Sequence, residues 1–407
     1  MNALFVFKNK SSDIVTDGEF TLRPLGIEDN GQKLINRWVL SVDGSKDEFT
    51  LEHTVANEFA DCLVDADRGD HALLAVLFHV MHYGRSLHID GCVSPTLLKG
   101  VETLQTIWSR WRSRIYSQIQ ITANLETELQ GSHSRPGSLI AFSGGVDGTF
   151  STFRHYREAA GRNSSKPGAA LLVHGMDIAL HRSKEYEGAV ERARVMLAST
   201  DISLVQFSVN SRLLRQEWED SFSVQLGSCF LMLQRGFAAA LQGSGEPYED
   251  IFFPWSSTPF TDHLISTPCL DVRVDGCDFS RTEKVDWLAR ETDVVGLLRV
   301  CWEGARLDEN CGECEKCIRT MLNFWASANV VPPTLFERGL TLEAVRSVRP
   351  RNPVQIAELK QVLKHARRNG LEKTPTFHAL TNVIRKAVVK TELQRLAEGV
   401  KAGLRSM

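Results

Sequence analysis

The chain has 407 residues, of which 43% are hydrophobic and 24% are charged, and its formal net charge at pH 7 is −3. This composition excludes a disordered chain, a collagen-like fibre and a small disulfide-rich protein. The near balance of charges gives the molecule as a whole no nucleic-acid signature. The nine cysteines are an odd number, which argues against a paired extracellular framework and for a reducing compartment.

We expect no secretion signal in the N-terminal sequence. Residues 1–8 lack a basic leading segment, and their apolar run is short. The longest apolar stretch, at about residues 72–81, contains His79 and is far shorter than the roughly 20 residues that cross a bilayer. We therefore expect a cytoplasmic protein with no membrane partner.

The first 130 residues mix strand and helix patterns. Short β-like runs lie between Asp-Gly and Asn-Gly turn signals, at residues 4–7, 20–23 and 37–42. Helical spacing follows at 71–82 and 95–114. We expect an N-terminal α+β domain of unknown role over residues 1–130, and the polar stretch 131–137 is typical of a linker.

Strands and helices alternate after residue 137. We expect strands at 138–142, 169–174, 204–209 and 250–253, with helices between them at 149–156, 185–197 and 229–241. This alternation is typical of a parallel sheet with helices on both faces. We expect this α/β domain to span residues 137–328.

The C-terminal region, residues 329–407, is expected to be helical and basic. Helical patterns cover 342–348, 353–368 and 377–404. From Thr341 onward there are 14 Lys and Arg against 5 Asp and Glu, while the rest of the chain has 33 against 45. We favour a solvated helical face; a patch for RNA or for an acidic protein is the alternative.

A glycine loop follows the first central strand. Residues 142–150 read Phe-Ser-Gly-Gly-Val-Asp-Gly-Thr-Phe, and the glycines let the backbone turn tightly and approach a ligand. The helix start behind them offers unpaired N–H groups and a positive dipole end, which favour an anion. Ser143 and Thr149 add hydroxyl donors. The string is neither a Walker loop nor a GxGxxG dinucleotide pattern.

The Ser-Gly-Gly-x-Asp string resembles the PP-loop ATP pyrophosphatase superfamily, and it comprises Ser143, Gly144, Gly145 and Asp147. The resemblance implies an adenine-nucleotide α-hydrolase-like, Rossmann-like sheet whose loop binds the pyrophosphate of ATP together with Mg²⁺. AMP is then transferred to a substrate oxygen. The family's final serine is Gly148 here, although Thr149 follows, so one phosphate contact is lost or is made by a backbone N–H. The resemblance also puts Met176 near the adenosine, and a simple turn is the alternative there.

Two cations lie at the start of a predicted helix. A capping-box pattern at residues 280–283 puts Arg281 and Lys284 in the first turn, where cations oppose the helix dipole. That cost is understandable if both side chains reach an anion such as the triphosphate, and PP-loop relatives have a lysine near this point. We expect Ser143, Asp147 and Lys284 to be catalytic, and Arg281 to contact the nucleotide.

Four of the nine cysteines are close together in the sequence: Cys301, Cys311, Cys314 and Cys317. Four thiolates at these separations can complete a tetrahedral shell around Zn²⁺, and a closed shell is structural because no position is open for water. Lys316 and Arg319 could offset its negative charge. The alternatives are an iron–sulfur cluster and a thioredoxin-like Cys-x-x-Cys, and the second leaves two of the four cysteines unused.

The PP-loop followed by Cys-x9-Cys-x2-Cys-x2-Cys resembles the 7-cyano-7-deazaguanine synthase (QueC) family over residues 138–323. That family adenylates the carboxylate of 7-carboxy-7-deazaguanine, lets ammonia displace AMP to give an amide, and dehydrates the amide to a nitrile. Longer relatives occur in antiphage defence operons, where the activated base is expected to pass to another acceptor, such as a protein amine. The resemblance therefore implies a C–N ligase with a deazapurine substrate.

A loop rich in polar and aromatic side chains is the candidate for binding the base, and its residues of interest are Trp255, Ser256, Ser257, Asp262 and His263. We expect it after the fourth strand, at the carboxyl end of the sheet, where open α/β sheets bind ligands. A surface loop is the alternative.

Two other functions fit parts of the sequence. A tRNA-thiolation enzyme would use the basic tail, but it needs reactive cysteines, which a closed zinc shell makes inert. The second alternative function is a non-catalytic scaffold that holds a nucleotide or a base, and Gly148 favours it. Nucleic acid is the less favoured partner.

Overall fold

The computed structural model describes residues 18–405 except 302, 305, 329 and 330, with side chains described as far as Lys390. The strand predicted at residues 4–7 lies outside this range. The strands are β1 (Phe20–Asp29), β2 (Lys33–Val42), β3 (Phe49–Ala56), β4 (Leu87–Val93), β5 (Ile121–Glu126), β6 (Ser138–Ala141), β7 (Pro167–His174), β8 (Ser203–Val209), β9 (Ala239–Gly243) and β10 (Asp271–Asp275). The α-helices are α1 (Asp70–Tyr83), α2 (Pro95–Trp111), α3 (Val146–Tyr156), α4 (Ser183–Leu197), α5 (Trp218–Met232), α6 (Arg281–Glu291), α7 (Glu315–Ala326), α8 (Leu342–Ser347), α9 (Pro353–Arg368) and α10 (Pro375–Arg405).

Within these described residues the ten strands form one sheet, in the order β10-β9-β6-β7-β8-β3-β2-β1-β4-β5. The first five are parallel to one another. Counted along the chain from β6, their order is 5-4-1-2-3, which is the order of a doubly wound sheet. The predicted α/β class is confirmed: the sheet is mostly parallel, is flanked by helices and is compatible with a Rossmann-like fold.

The strands of the first 130 residues continue this sheet. β3 pairs antiparallel with β8, with Thr54 opposite Ser208, and β2 and β1 follow by antiparallel pairing. β3 thus supplies hydrogen bonds to the edge of β8 that would otherwise be unpaired. The N-terminal α+β segment and the parallel strands therefore share one backbone hydrogen-bond network.

The helix predicted at 229–241 has the wrong bounds, and the strand predicted at 250–253 is wrong. α5 ends at Met232, and β9 occupies Ala239–Gly243. Residues 250–253 form no strand. Short apolar runs fit a buried strand and a buried helix equally well, so periodicity could not separate them. Residues 239–243 form a strand because their backbone groups pair with β6 on one side and with β10 on the other.

The core of the sheet is built around α1. From Asp70 to Met81 this helix is buried at every position, as expected for a helix without a polar face. Phe78 on α1 packs edge-to-face on Trp108 of α2, with ring centroids 5.2 Å apart. Such aromatic contacts add to the free energy of burying the rings.

The chain divides into two compact units. The first comprises the described residues up to Ser143, together with Ser151–Ser244 and Phe253–Asp275, and it contains the whole sheet. The second comprises Gly144–Phe150, Gly245–Phe252 and the described residues from Gly276 onward. None of the described helices is long and apolar enough to cross a membrane.

Candidate functional site

The glycine loop lies between β6 and α3, as predicted. The strand β6 ends at Ala141, and the order of the parallel strands reverses at β6. Ligands bind at such a reversal point in open α/β sheets. Gly144 has φ +74°, a left-handed conformation that favours glycine. The N–H of Thr149 donates to the carbonyl of Gly145 at 3.1 Å. The loop is thus a tight turn that leads directly into a helix.

Asp147, in the first turn of α3, contacts both cations predicted for the nucleotide. Its Oδ2 lies 2.5 Å from Nη2 of Arg281, and its Oδ1 lies 3.5 Å from Nζ of Lys284. Burial would raise the pKa of Asp147, but the charges of Arg281 and Lys284 outweigh burial and lower it below its ordinary value. The structure therefore brings three of the predicted site residues together.

The start of α6 carries the capping box that the sequence predicts. The Ser280 side chain accepts from the N–H of Glu283, whose carboxylate accepts from the N–H of Ser280 at 2.8 Å. The same turn holds Lys284, whose side chain is fully buried, with Nζ 5.7 Å from the centre of the Phe150 ring. Gly276 makes room for it, because a Cβ there would lie 3.2 Å from Cε of Lys284.

Sequence reasoning missed the carboxylates that complete this cluster. Glu358 of α9 lies 2.7 Å from Arg281, and Glu246, which follows β9, is also buried. Burial raises the pKa of Glu246, against the opposing charge of Arg281. A cavity of about 10 Å³ lies between these groups, which is room for a single water. Neither glutamate belongs to a short motif, so only the fold reveals them.

The four predicted zinc ligands converge. All four Sγ atoms lie within 4.8 Å of one another, and the Sγ of Cys301 is 3.5 Å from that of Cys311 and 3.7 Å from that of Cys314. A tetrahedron with Zn–S bonds of about 2.3 Å has edges of roughly 3.8 Å. The separations fit that edge and are too long for disulfide bonds. This is the only such cluster of His, Cys, Asp or Glu among the described residues, and it could hold a metal such as zinc.

Backbone groups also point at the sulfur atoms. Gly312 has φ +72°, which turns the N–H groups of Glu313 and Cys314 toward Sγ of Cys311, at 3.4 and 3.3 Å. The Sγ of Cys314 in turn accepts from the N–H of Cys317 at the start of α7. N–H donors stabilise thiolates, which is the form that binds metal.

Asn310 holds the two halves of the cysteine cluster in place, although no sequence motif marks it. Its Oδ1 accepts from the N–H groups of Val300 and Cys301, while its Nδ2 donates to the carbonyls of Leu298 and Leu335. All four hydrogen bonds of one buried side chain are thereby used. Arg319, expected beside the cysteines, instead pairs with Glu315.

Ser143, Met176 and the predicted residues of the 255–263 loop belong to the first unit. Ser143 is exposed, and Met176 is largely buried, with its carbonyl accepting from Arg212 at 2.8 Å. Trp255 packs on Phe222, with ring centroids 5.9 Å apart. Their assignment to nucleotide and base stays a prediction.

The polar side chains of the 255–263 loop form hydrogen bonds within this unit. Ser256 Oγ accepts from the N–H of Ser223 at 2.8 Å, and Ser257 Oγ donates to Asp262 at 2.7 Å. Burial raises the pKa of Asp262 to about 7. His263 is exposed. These hydrogen bonds of the serine and aspartate side chains hold the loop in place. A role of the loop in binding a base stays a prediction.

Comparison with known proteins adds no relative. No family model matches the chain, and no curated protein or solved structure matches it.

Proposed function

We propose that the chain is an ATP-dependent ligase of the PP-loop type, similar to the QueC family. It would adenylate the carboxylate of a 7-deazaguanine base and pass the acyl group to an amine. The observation that carries the proposal is the pair of cations, Arg281 and Lys284, held against Asp147 of the glycine loop. Cations at a helix start oppose its dipole, and a bound triphosphate explains why two are kept there.

In the proposed reaction a carboxylate oxygen of the base attacks the α-phosphorus of ATP. The bond to the bridging oxygen breaks, pyrophosphate leaves, and a mixed anhydride with AMP forms. An amine then attacks the carbonyl carbon, AMP leaves, and the amine proton passes to solvent. N–H groups at the start of α3 and the charge of Lys284 would stabilise the negative charge that develops on pyrophosphate. Ser143 would donate from the loop.

Mg²⁺ would arrive with the triphosphate. The described residues offer no carboxylate cluster for a metal, and Mg²⁺ is commonly bound through substrate phosphates with few protein ligands. Asp147 is engaged by two cations, so we assign it the holding of Arg281 and Lys284. Gly148 would contribute its backbone N–H.

Zinc would be structural, held by Cys301, Cys311, Cys314 and Cys317. Four sulfur ligands leave no open position, so bound zinc would fix the chain between residues 301 and 317 and take no part in the reaction. This closed set of ligands disfavours tRNA thiolation, which needs reactive sulfur. The amine acceptor is proposed to be ammonia or a protein, the latter as in antiphage defence.

Incubation with ATP, Mg²⁺ and 7-carboxy-7-deazaguanine tests the proposal. Mass spectrometry should detect AMP, pyrophosphate and, with ammonium present, the base as its amide or nitrile. A mass increase on a protein encoded beside this chain would identify a protein acceptor. Nucleotide binding without AMP formation would favour the scaffold function. Binding of tRNA that weakens steeply with salt, without turnover of the base, would favour tRNA modification.

A further inference from the structure

Arg281 bridges two carboxylates that come from different parts of the second unit. Its Nη2 lies 2.5 Å from Oδ2 of Asp147 in the glycine loop, and its Nη1 lies 2.7 Å from Oε1 of Glu358 on α9. The side chains of Arg281 and Glu358 are 13% and 7% exposed. The guanidinium fork is rigid and planar, so holding one end of it limits where the other end can lie.

Glu358 is itself held from a second side. Its Oε2 contacts Nη1 of Arg319 on α7, and Nε of Arg319 lies 2.8 Å from Oε1 of Glu315. A carboxylate between two guanidinium groups has little rotational freedom, since any rotation lengthens one of its two ion pairs. α9 and α7 together therefore provide a fixed anchor for Arg281.

The anchor matters because phosphate and Asp147 would compete for the same arginine. Asp147 lies in the loop, where an incoming phosphate would repel it, whereas Glu358 lies on a separate helix. Without Glu358, Arg281 would be held from one side only, by Asp147 in the loop. The dipole of α6 would then push the cation away from the helix start.

We propose that Glu358 is a positioning residue for the nucleotide loop, which it serves by fixing Arg281 for contact with the phosphates of ATP. The proposal rests on the proposed function and extends it. It makes α9, which lies outside the QueC-like part of the sequence, a component of the nucleotide site.

The Glu358→Gln variant tests the proposal through ATP–pyrophosphate exchange. The amide keeps the shape and one acceptor oxygen but loses the charge that holds Arg281. Because the ion pair that fixes Arg281 is lost, we expect the KM for ATP to rise about tenfold or more, with a smaller change in kcat. Glu372→Gln is the matched control: that carboxylate also faces an arginine, Arg367 at 3.9 Å, but is 44% exposed. The KM of this control variant for ATP should equal that of the parent.

A charge-balanced variant separates positioning from simple loss of charge. Glu358→Gln combined with Arg319→Gln removes one negative and one positive group, which guards against unfolding caused by an unpaired buried cation. Positioning predicts that the KM for ATP stays raised in this variant. Recovery of the parent KM would assign the effect to charge balance and overturn the proposal, as would an unchanged KM in folded Glu358→Gln.

A readout without ATP keeps this proposal distinct from the proposed function. Urea midpoints of Asp147→Asn, Glu358→Gln and their combination should be non-additive, because both carboxylates act on Arg281. In an Arg281→Gln background the two shifts should add. If the parent exchanges no pyrophosphate, the proposed ligase function is refuted. The urea midpoints then test Glu358 by themselves. Additive midpoint shifts in the double variant would overturn its role, and non-additive shifts would support it.

Discussion

Replacing His71 with Gln should make the stability of the first unit less dependent on pH below neutrality. His71 lies on α1 and is fully buried, with its Nε2 2.9 Å from Oδ1 of Asn36. The rings of Trp38 and His53 pack edge-on against it, with centroids 6.0 and 5.0 Å away. Burial lowers the pKa of His71 from 6.5 to about 3, since the imidazolium would lose its hydration there.

The size of the effect follows from the two pKa values. Below pH 6.5 the unfolded chain binds a proton at this histidine, whereas the folded chain does not until about pH 3. Stability is therefore lost as the pH falls through this window. Between pH 7.5 and pH 5 the loss is about 2 kcal/mol, or roughly thirtyfold in the ratio of folded to unfolded chains. A folded-state pKa one unit higher would change this by less than about 0.1 kcal/mol.

Urea unfolding at pH 5 and pH 7.5, followed by near-ultraviolet circular dichroism, measures the effect. The parent should lose about 2 kcal/mol more than His71→Gln between the two values, and His263→Gln, at an exposed position, should behave as the parent. Comparing the parent with the variant removes the contribution of the other titrating groups, because distant groups contribute independently to the free energy of unfolding. Equal pH dependence in the parent and in His71→Gln would refute the conclusion that folding keeps this histidine neutral.

Three further predictions concern the candidate site and its loops. Cys317→Ser should lose most of the bound zinc measured by plasma mass spectrometry, whereas Cys229→Ser, a buried thiol on α5, should keep it; equal zinc in both variants would contradict the four-sulfur site. Asp262→Asn should gain about 3 kcal/mol of stability relative to the parent as the pH rises from 4 to 7, because burial raises the pKa of this carboxyl to about 7 and its charged form is disfavoured. Urea midpoints across that range measure this, and a constant difference would refute it. Asp147→Ala should abolish pyrophosphate release from ATP, since Arg281 and Lys284 lose the carboxylate that holds them; unchanged release would remove the loop from the mechanism.

Local patterns were sufficient for the elements that carry the loop and the cysteines. The predicted run of strands and helices from residue 138 to 209 agrees with β6, α3, β7, α4 and β8 to within a few residues. The capping box before α6 is present, because its two hydrogen bonds are made within four residues. The cysteine spacing likewise predicted the convergence of the sulfur atoms, since three of the four lie within one turn and the helix start after it.

Pairings between distant parts of the chain could not be predicted. The antiparallel pairing of β3 with β8 joins residues about 150 positions apart, and no local signal specifies such a partner. Glu358 shows the same limit at the level of one side chain. Its sequence neighbours mark it as a residue of an amphipathic helix, and its role depends on Arg281, which lies on another helix. Part of the candidate site in the second unit therefore could not be predicted from the sequence.

The buried charges of the second unit connect the candidate metal centre with the glycine loop. Cys314 caps α7, α7 carries Arg319, and from there opposite charges alternate through Glu358 and Arg281 to Asp147. Such buried ion pairs seldom stabilise a fold more than apolar side chains of the same volume would, so their retention is better explained by what they position. A zinc ion that fixes the start of α7 would also fix Arg319, and through it the anchor of Arg281. Removal of zinc should therefore weaken nucleotide binding at the loop even while the sheet of the first unit stays folded.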